Sequence, residues 1–290
     1  MNYMNKYTKI LTLFFIVLIG FVFISYFFAN AFISPNRVSI GAPPAKFNFE
    51  NVSFRTSDNL LIKGWYSKYS DTSKTIILLH GYKANRLEMI PRCELFRNAG
   101  YNILLYDARG CGESEGDLIS FGYYESRDLL AAVSFLNVKG DSEIALYGFS
   151  QGGATILLAA DSLKNIKCMI AEGTFDKLEN AIDNRFENTL HIPGKFGAWI
   201  MILFAENKLG VGIDEIEPVK EVSKINFPIL IIGGENDDRT LKENTLTLYH
   251  SAKNPKELLL VKNSGHADIY SNNPEIYRSR VLDFLNKYFR

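Results

Sequence analysis

The chain has 290 residues, 47% of them hydrophobic, and its 32 basic residues balance its 32 acidic residues to give a formal net charge of zero. A chain of this length can bury a substantial core, as one large α/β domain or two smaller ones. The balanced charge provides no basic surface for phosphate groups, so we expect no nucleic-acid partner.

The N-terminal segment is far more apolar than the rest of the chain. From Ile10 the run ILTLFFIVLIGFVFISYFFANAFI carries no charge, and about 20 apolar residues are enough to cross a bilayer as a helix. We therefore predict a single-pass N-terminal transmembrane helix within a membrane anchor, residues 1–36, followed by a second region, residues 37–290.

The residues that flank the apolar run predict its orientation. Lys6 and Lys9 precede it, which favours a cytoplasmic N-terminus and places the remaining chain on the extracytoplasmic side. The triplet Ala29-Asn30-Ala31 has the small-x-small form of a signal-peptidase site, so a cleaved signal peptide is the alternative to an anchor.

After this segment, strand and helix patterns alternate. Residues 56–59, Thr-Ser-Asp-Asn, separate two period-2 strands and predict a hairpin. Short apolar strands then alternate with amphipathic helices, which indicates a largely parallel sheet covered on both faces. The apolar strand segments are TIILLHG, YNILLYDARG, EIALYGFS, IKCMIAEG, PILIIGGEND and KELLLVKNSGH.

The alternation is interrupted between about residues 175 and 226. We interpret this segment as a small lid inserted at the strand ends. Its large apolar side chains are predicted either to line an acyl site or to pack the lid onto the body of the protein. These side chains are Phe196, Trp199, Ile200, Leu203 and Phe204.

The segment EIALYGFSQGGATILLAA contains the pattern Gly148-x-Ser150-x-Gly152. The pattern alone is weak evidence, because it also occurs in plain turns. Here an apolar strand precedes the serine and a helix follows it, and a sharp turn in that context exposes a nucleophilic hydroxyl at the edge of the sheet.

A serine hydroxyl becomes a good nucleophile only when a base takes its proton. His266 lies in a loop after the last apolar strand, where a doubly wound sheet presents catalytic groups. His80 ends an earlier strand, whereas His191 is predicted to be structural and His250 to lie on the surface.

The carboxylate that orients this base is expected at the end of the strand between the serine and the histidine. The segment PILIIGGENDDRT supplies Asp237 and Asp238 there. Together with Ser150 and His266 they give the chain order Ser, Asp, His, which favours a catalytic triad over a solvated turn.

Four motifs in this order resemble those of the α/β-hydrolase superfamily: LLHGYKANR, YDARGCGESEG, GFSQGG and GENDDRT with SGH. The chain looks most like its membrane-anchored branch related to the Bem46 proteins and the serine aminopeptidase-like hydrolases. The resemblance implies an α/β-hydrolase fold in residues 37–290, with a mostly parallel sheet of about eight strands flanked by helices, and a lid at about residues 175–226.

The resemblance also implies individual roles. Asp237 is the acid of the triad, with its neighbour Asp238 as the open alternative, and the backbone amides of Tyr82 and Gln151 stabilise the oxyanion. The Gly-rich turn DARGCGES is predicted to be structural and to be held by side-chain hydrogen bonds.

These residues predict a membrane-anchored serine hydrolase that cleaves carboxylic ester or thioester bonds through an acyl-enzyme. One alternative is an aminopeptidase-like serine peptidase, in which Glu179, Glu187 or Glu206 binds a substrate ammonium. Another is a non-catalytic binding protein on the same fold. We expect no cofactor and no metal, because neither metal-ligand spacing nor a phosphate-loop lysine is present. The substrate is predicted to be an acyl ester or a small peptide-like molecule, and the oligomeric state does not follow from these residues.

Overall fold

The computed structural model describes residues 2–69, 74–191, 194 and 198–289. Its strands are β1 Asn36–Arg37, β2 Glu50–Arg55, β3 Leu61–Ser67, β4 Lys74–Leu79, β5 Asn102–Tyr106, β6 Cys111–Gly112, β7 Glu143–Phe149, β8 Ile166–Glu172, β9 Ile229–Gly234 and β10 Lys256–Val261. Its helices are α1 Asn2–Ile33, α2 Ile90–Asn98, α3 Glu125–Lys139, α4 Gln151–Ala159, α5 Leu178–Leu190, α6 Trp199–Leu209, α7 Pro218–Val222, α8 Lys242–Ser251, α9 Ile269–Asn272 and α10 Pro274–Tyr288.

Eight strands form one mostly parallel sheet in the order β10-β9-β8-β7-β4-β5-β3-β2. β2 and β3 pair antiparallel, with Phe54 opposite Ile62, which confirms the predicted hairpin. β3 also runs antiparallel to β5, and the pairs from β5 through β4 to β10 are parallel. The predicted α/β-hydrolase sheet is therefore confirmed.

The parallel strands are largely apolar because both faces of the sheet are buried. Successive residues of β7 point to opposite faces, as the two-residue period of a strand requires. Ile144 and Leu146 belong to the core layer on one face, and Ala145 and Tyr147 belong to the layer on the other.

The segment between β8 and β9 carries the helices that cover the carboxyl ends of the central strands. α5, α6 and α7 lie there, in the region predicted as a lid. Buried residues of α5 and α6, among them Leu178 and Leu209, pack with Ala154 of α4 and with Ile33 at the end of α1.

Helix α1 is long and apolar enough between Lys6 and Ile33 to cross a membrane, a property that it shares with signal sequences. Most of its side chains are exposed, but its last turn is held by the rest of the protein. The backbone N–H of Ile119 donates to the carbonyl oxygen of Ile33 at 2.8 Å, and the short strand that follows pairs Asn36 with Cys111 of β6.

Candidate active site

Ser150 occupies a sharp turn between β7 and α4. Its backbone has φ 53° and ψ −117°, an unusual conformation for a residue with a side chain. The turn is closed by a hydrogen bond of 2.8 Å from the Ser150 N–H to the carbonyl oxygen of Glu172. A Cβ at Gly148 would overlap the backbone of Gly152, and a Cβ at Gly152 would overlap the Leu79 carbonyl. The two glycines are therefore required by the close approach of three backbone segments.

The structure brings Ser150, His266 and Asp237 together in one hydrogen-bonded chain. The Nε2 atom of His266 lies 3.0 Å from Ser150 Oγ, and its Nδ1 atom lies 2.7 Å from Asp237 Oδ2. His266 and Asp237 are 6% and 3% exposed. With the imidazole proton on Nδ1, Nε2 is free to accept the proton of the serine, which is the geometry that general-base activation needs.

Asp237 is fixed by hydrogen bonds at both oxygens. Its Oδ1 atom accepts from the backbone N–H groups of Arg239 and Thr240 at 2.8 and 2.9 Å. Its Oδ2 atom accepts from Thr240 Oγ1 at 2.7 Å in addition to His266. Burial raises the pKa of the Asp237 carboxyl, but the hydrogen bonds from His266 and Thr240 outweigh burial and hold this pKa below its usual value.

Asp238 lies outside this arrangement, because its side chain is exposed. The backbone carbonyl of Asp238 accepts a hydrogen bond from Asn188 Nδ2 at 2.5 Å. Of the two aspartates left open by the sequence, Asp237 is thus the one in contact with the imidazole. Thr240 was not predicted, although a threonine shortly after an aspartate is a common turn partner.

The two predicted oxyanion donors lie beside the serine. Tyr82 and Gln151 line the same cavity as Ser150 and His266, and Gln151 is the first residue of α4. Among the described residues, the backbone N–H groups of Tyr82 and Gln151 donate no hydrogen bond. Both amides are available to an oxygen bound near Ser150, and the partial positive charge of the α4 N-terminus adds to the attraction.

Of the remaining histidines, His80 lies near the serine turn, where it lines a small cavity with Gln151 and Gly152, but its ring nitrogens bond to other groups. His80 bridges two loops, with Nδ1 2.8 Å from the Gly81 carbonyl oxygen and Nε2 accepting from the Ala108 N–H at 3.0 Å. His191 and His250 are exposed.

The predicted structural role of the DARGCGES turn agrees with its contacts. Asp107 accepts hydrogen bonds from the backbone N–H and the guanidinium of Arg86. Arg109 bridges the buried Asp128 and the partly exposed Asp58 at 2.7 Å each. Hydrogen bonding to Arg109 holds the pKa of Asp58 well below its usual range, whereas burial raises that of Asp128 to about 7 despite the same guanidinium.

An apolar cavity of about 190 Å³ opens beside Ser150. The lid contributes much of its wall, through Leu178, Ala181, Ile182 and Phe186 of α5 and Met201, Ile202 and Ala205 of α6. Three residues at the end of α1 complete it: Ala29, Phe32 and Ile33. No pattern in the sequence indicated that the N-terminal helix contributes to this site.

The predicted acyl-site residues of the lid do not line this cavity. Trp199 and Leu203 are 52% and 56% exposed, because the helical period places them on the outer face of α6, away from Met201 and Ala205. Ile200 and Phe204 are absent from the wall. Phe196 lies outside the described residues.

Few charged side chains reach the cavity. Glu206 lines it and accepts a hydrogen bond from the Ile213 N–H at 2.8 Å. Arg185 and Arg239 also line it. The other acids proposed to bind an ammonium group, Glu179 and Glu187, are exposed and do not line the cavity.

Beneath the serine turn lies a buried polar cluster that the sequence did not predict. Arg92 of α2 pairs with the carboxylate of Glu172, and Tyr147 and Tyr277 also bond to this carboxylate. The guanidinium of Arg92 lies 4.7 Å from the ring centroid of Phe149, the residue before Ser150. These residues come from separate elements, so no local sequence pattern indicates that they meet.

Comparison with known proteins agrees with the fold. Residues 74–191 match the family model described as alpha/beta hydrolase fold. The YqkD protein of Bacillus subtilis is 32% identical over 78% of this chain and 75% of its own length. The chain belongs to the α/β-hydrolase superfamily.

Two further similar proteins are named for an activity. The polyketide transferase grgF of a Penicillium species is 25% identical over 82% of this chain and 96% of its own length. The esterase Pf2001 of Pyrococcus furiosus superposes with a TM-score of 0.74, at 26% identity over 89% of this α/β hydrolase and 98% of the esterase.

Proposed function

We propose that this α/β hydrolase is a membrane-anchored serine hydrolase that cleaves carboxylic ester or thioester bonds through an acyl-enzyme. The observation that carries the proposal is the hydrogen-bonded chain from Asp237 through His266 to Ser150, with distances of 2.7 and 3.0 Å. A binding protein has no need of a buried aspartate, a bridging imidazole and a serine in a strained turn at one cavity.

In this mechanism Ser150 Oγ attacks the acyl carbon while His266 Nε2 takes its proton. The oxyanion that forms is bound by the backbone N–H groups of Tyr82 and Gln151. Collapse of the tetrahedral intermediate releases the alcohol or thiol, which receives the proton from His266. Water then attacks the acyl-enzyme, with His266 as its base, and releases the acid and free Ser150.

The lining of the cavity supports an acyl substrate. Its wall consists largely of aliphatic and aromatic side chains from the lid, which favour an alkyl chain over a polar peptide. The similar proteins described above, an esterase and a polyketide transferase, are compatible with this class. A substrate ammonium finds less support, because Glu206 shares the cavity with the cations Arg185 and Arg239.

We also propose that residues 1–36 remain attached as an anchor, with the hydrolase region, residues 37–290 and its lid at about 175–226, on the extracytoplasmic side. Cleavage after Ala31 would remove Ala29, which is 1% exposed and lines the cavity. It would also remove Asn30, whose Oδ1 atom accepts a hydrogen bond from Lys208 at 2.7 Å. We expect the chain to stay with membranes that are washed with carbonate. We also expect a protease added outside the cell to reach the hydrolase region.

The activity is tested by labelling the full chain in detergent with a fluorophosphonate, which reacts with activated serines. We expect labelling of the wild-type protein and hydrolysis of p-nitrophenyl butyrate. Ser150→Ala is expected to lose both, with a fall in kcat on the order of 10⁶. Ser271→Ala is the matched control, because Ser271 is an exposed serine away from the cavity, and it should keep both.

The full chain is used because the end of α1 is part of the cavity wall. An unlabelled but cooperatively folded wild-type protein would overturn the enzyme proposal and leave a binding protein on this fold. Labelling that persists in Ser150→Ala would move the nucleophile to another residue.

A further inference from the structure

The last turn of the N-terminal helix forms part of the cavity wall that also contains the proposed nucleophile. Ala29, Phe32 and Ile33 line the cavity together with Ser150 and His266. The Tyr82 hydroxyl donates to the Phe32 carbonyl oxygen at 2.6 Å. Since the backbone N–H of Tyr82 is a proposed oxyanion donor, α1 contacts both the acyl pocket and the oxyanion loop.

The length of α1 places this contact at a membrane surface. From Ile10 to Phe28 the helix carries large apolar side chains that are mostly exposed. At 1.5 Å per residue this stretch rises about 28 Å, close to the roughly 30 Å of a bilayer hydrocarbon core. When this stretch spans the bilayer, Ala29 and Ile33 lie just beyond the hydrocarbon, at the level where the ester carbonyls of lipid acyl chains lie.

The lid presents further apolar surface beside α1. α6 packs along α1, and the ring of Phe204 lies 5.3 Å from that of Tyr26 in an edge-to-face contact. On the outer face of α6, Trp199 and Leu203 are about half exposed, at 52% and 56%. Exposed tryptophan next to a membrane helix is typical of residues that lie in the interface between lipid and water.

We propose that the cavity beside Ser150 receives the acyl chain of a membrane-resident ester or thioester directly from the bilayer, along the wall formed by Ala29, Phe32 and Ile33. This inference rests on the proposed function and specifies its substrate class. The last turn of α1 thereby becomes a specificity-determining part of the site. An ester that is dissolved in water and too short to reach α1 does not depend on that turn.

The direct test uses the wild-type full chain in phosphatidylcholine vesicles and an alkyl fluorophosphonate whose tail ends in a diazirine. Ser150 Oγ displaces fluoride to form the phosphonate adduct, and light then links the tail to the residues that surround it. We expect mass spectrometry to find crosslinks within residues 29–33 and in α6. A Ser150 adduct whose tail links only to residues elsewhere would overturn the inference.

A pair of variants tests specificity through turnover. Ala29→Trp fills the pocket wall, whereas Phe27→Trp places the same residue on the exposed face of α1, where Phe27 is 62% exposed. Each methylene excluded from an apolar pocket lowers kcat/KM about fourfold, so two lower it about fifteenfold. In Ala29→Trp we expect the ratio of kcat/KM for p-nitrophenyl laurate to that for p-nitrophenyl butyrate to fall by at least that factor.

The control Phe27→Trp should keep both activities. If the ratio of kcat/KM for laurate to that for butyrate is equal in wild type, Ala29→Trp and Phe27→Trp, the role of α1 is refuted. An Ala29→Trp chain that does not fold leaves the crosslinking experiment as the test, since it needs no variant. If the proposed function itself is wrong, the wild type shows neither a Ser150 adduct nor butyrate turnover. That outcome differs from a negative crosslinking result and from equal activity ratios, both of which need an active wild type.

Discussion

Replacing Asp237 by Asn changes one atom of the proposed triad and keeps its shape. Asp237 Oδ1 accepts two backbone N–H groups, from Arg239 and Thr240, at 2.8 and 2.9 Å. An asparagine must keep its carbonyl oxygen toward these donors, because its NH₂ group cannot accept hydrogen bonds. The NH₂ group therefore takes the position of Oδ2, facing His266 Nδ1 and Thr240 Oγ1.

This orientation reverses the tautomer of the imidazole. The two N–H bonds of the amide find two acceptors, Nδ1 of His266 and Oγ1 of Thr240, so the local fold is kept. With Nδ1 accepting, the imidazole proton resides on Nε2, which then cannot take the proton of Ser150. In serine hydrolases with this triad the wrong tautomer costs about 10⁴ in kcat, equivalent to about 5.4 kcal/mol of transition-state stabilisation.

The assay compares kcat for p-nitrophenyl butyrate in wild type, Asp237→Asn and Asp238→Asn, together with the thermal unfolding midpoint of each. Asp238 is the matched control, because it is the neighbouring aspartate and its side chain is exposed. We expect near wild-type kcat in Asp238→Asn and near wild-type unfolding in both variants.

A folded Asp237→Asn variant within tenfold of wild-type kcat would refute the tautomer argument. A severe loss in Asp238→Asn with an active Asp237→Asn would instead make Asp238 the acid. That result would require a loop conformation different from the one in which Asp237 Oδ2 lies 2.7 Å from His266.

Two further predictions concern stability. Glu172→Ala leaves the buried guanidinium of Arg92 without its carboxylate, so chemical denaturation should show a loss of about 3–5 kcal/mol in the free energy of unfolding. Glu172→Gln removes the same charge but keeps the shape of the side chain, so a Glu172→Gln protein that unfolds like the wild type would mean that the charge pair is not the cause. Hydrogen bonding to Arg109 lowers the pKa of Asp58, and a lowered folded-state pKa gives stability above the unfolded pKa that is lost as the pH falls through the folded value. Asp58→Asn should therefore destabilise the protein near neutral pH, by about 1 kcal/mol or less because the carboxylate is partly exposed. The difference in free energy of unfolding between wild type and variant should shrink as the pH falls below about 4. A difference that does not change with pH would contradict this origin.

The order of elements and the residues of the proposed triad were predictable because their signals are local. Continuous apolar strands such as β7 and β9 indicate a sheet that is buried on both faces, and the sheet confirms this prediction. The glycines around Ser150 are dictated by the turn itself. The chain order of Ser150, Asp237 and His266 then needed only the rule that parallel strands present their carboxyl ends at one edge.

The choice between Asp237 and Asp238 needed the tertiary structure, since adjacent residues differ only in which way their side chains point. The face of α6 that lines the cavity was also decided by packing. Trp199 and Leu203 are as apolar as Met201 and Ile202, and only the position of α1 and the lid distinguishes the inner face from the outer one.

The sequence by itself determined the fold, the serine turn and an N-terminal helix that is long and apolar enough to cross a membrane, because each depends on periodicity or spacing within a short stretch. Tertiary structure decided that the end of α1 lies against the cavity and that Arg92 meets Glu172 beneath the serine. Such contacts join residues that are far apart in the chain, 80 positions between Arg92 and Glu172 and 178 between Asn30 and Lys208. They are fixed by how whole elements pack, and packing leaves no local pattern in the chain.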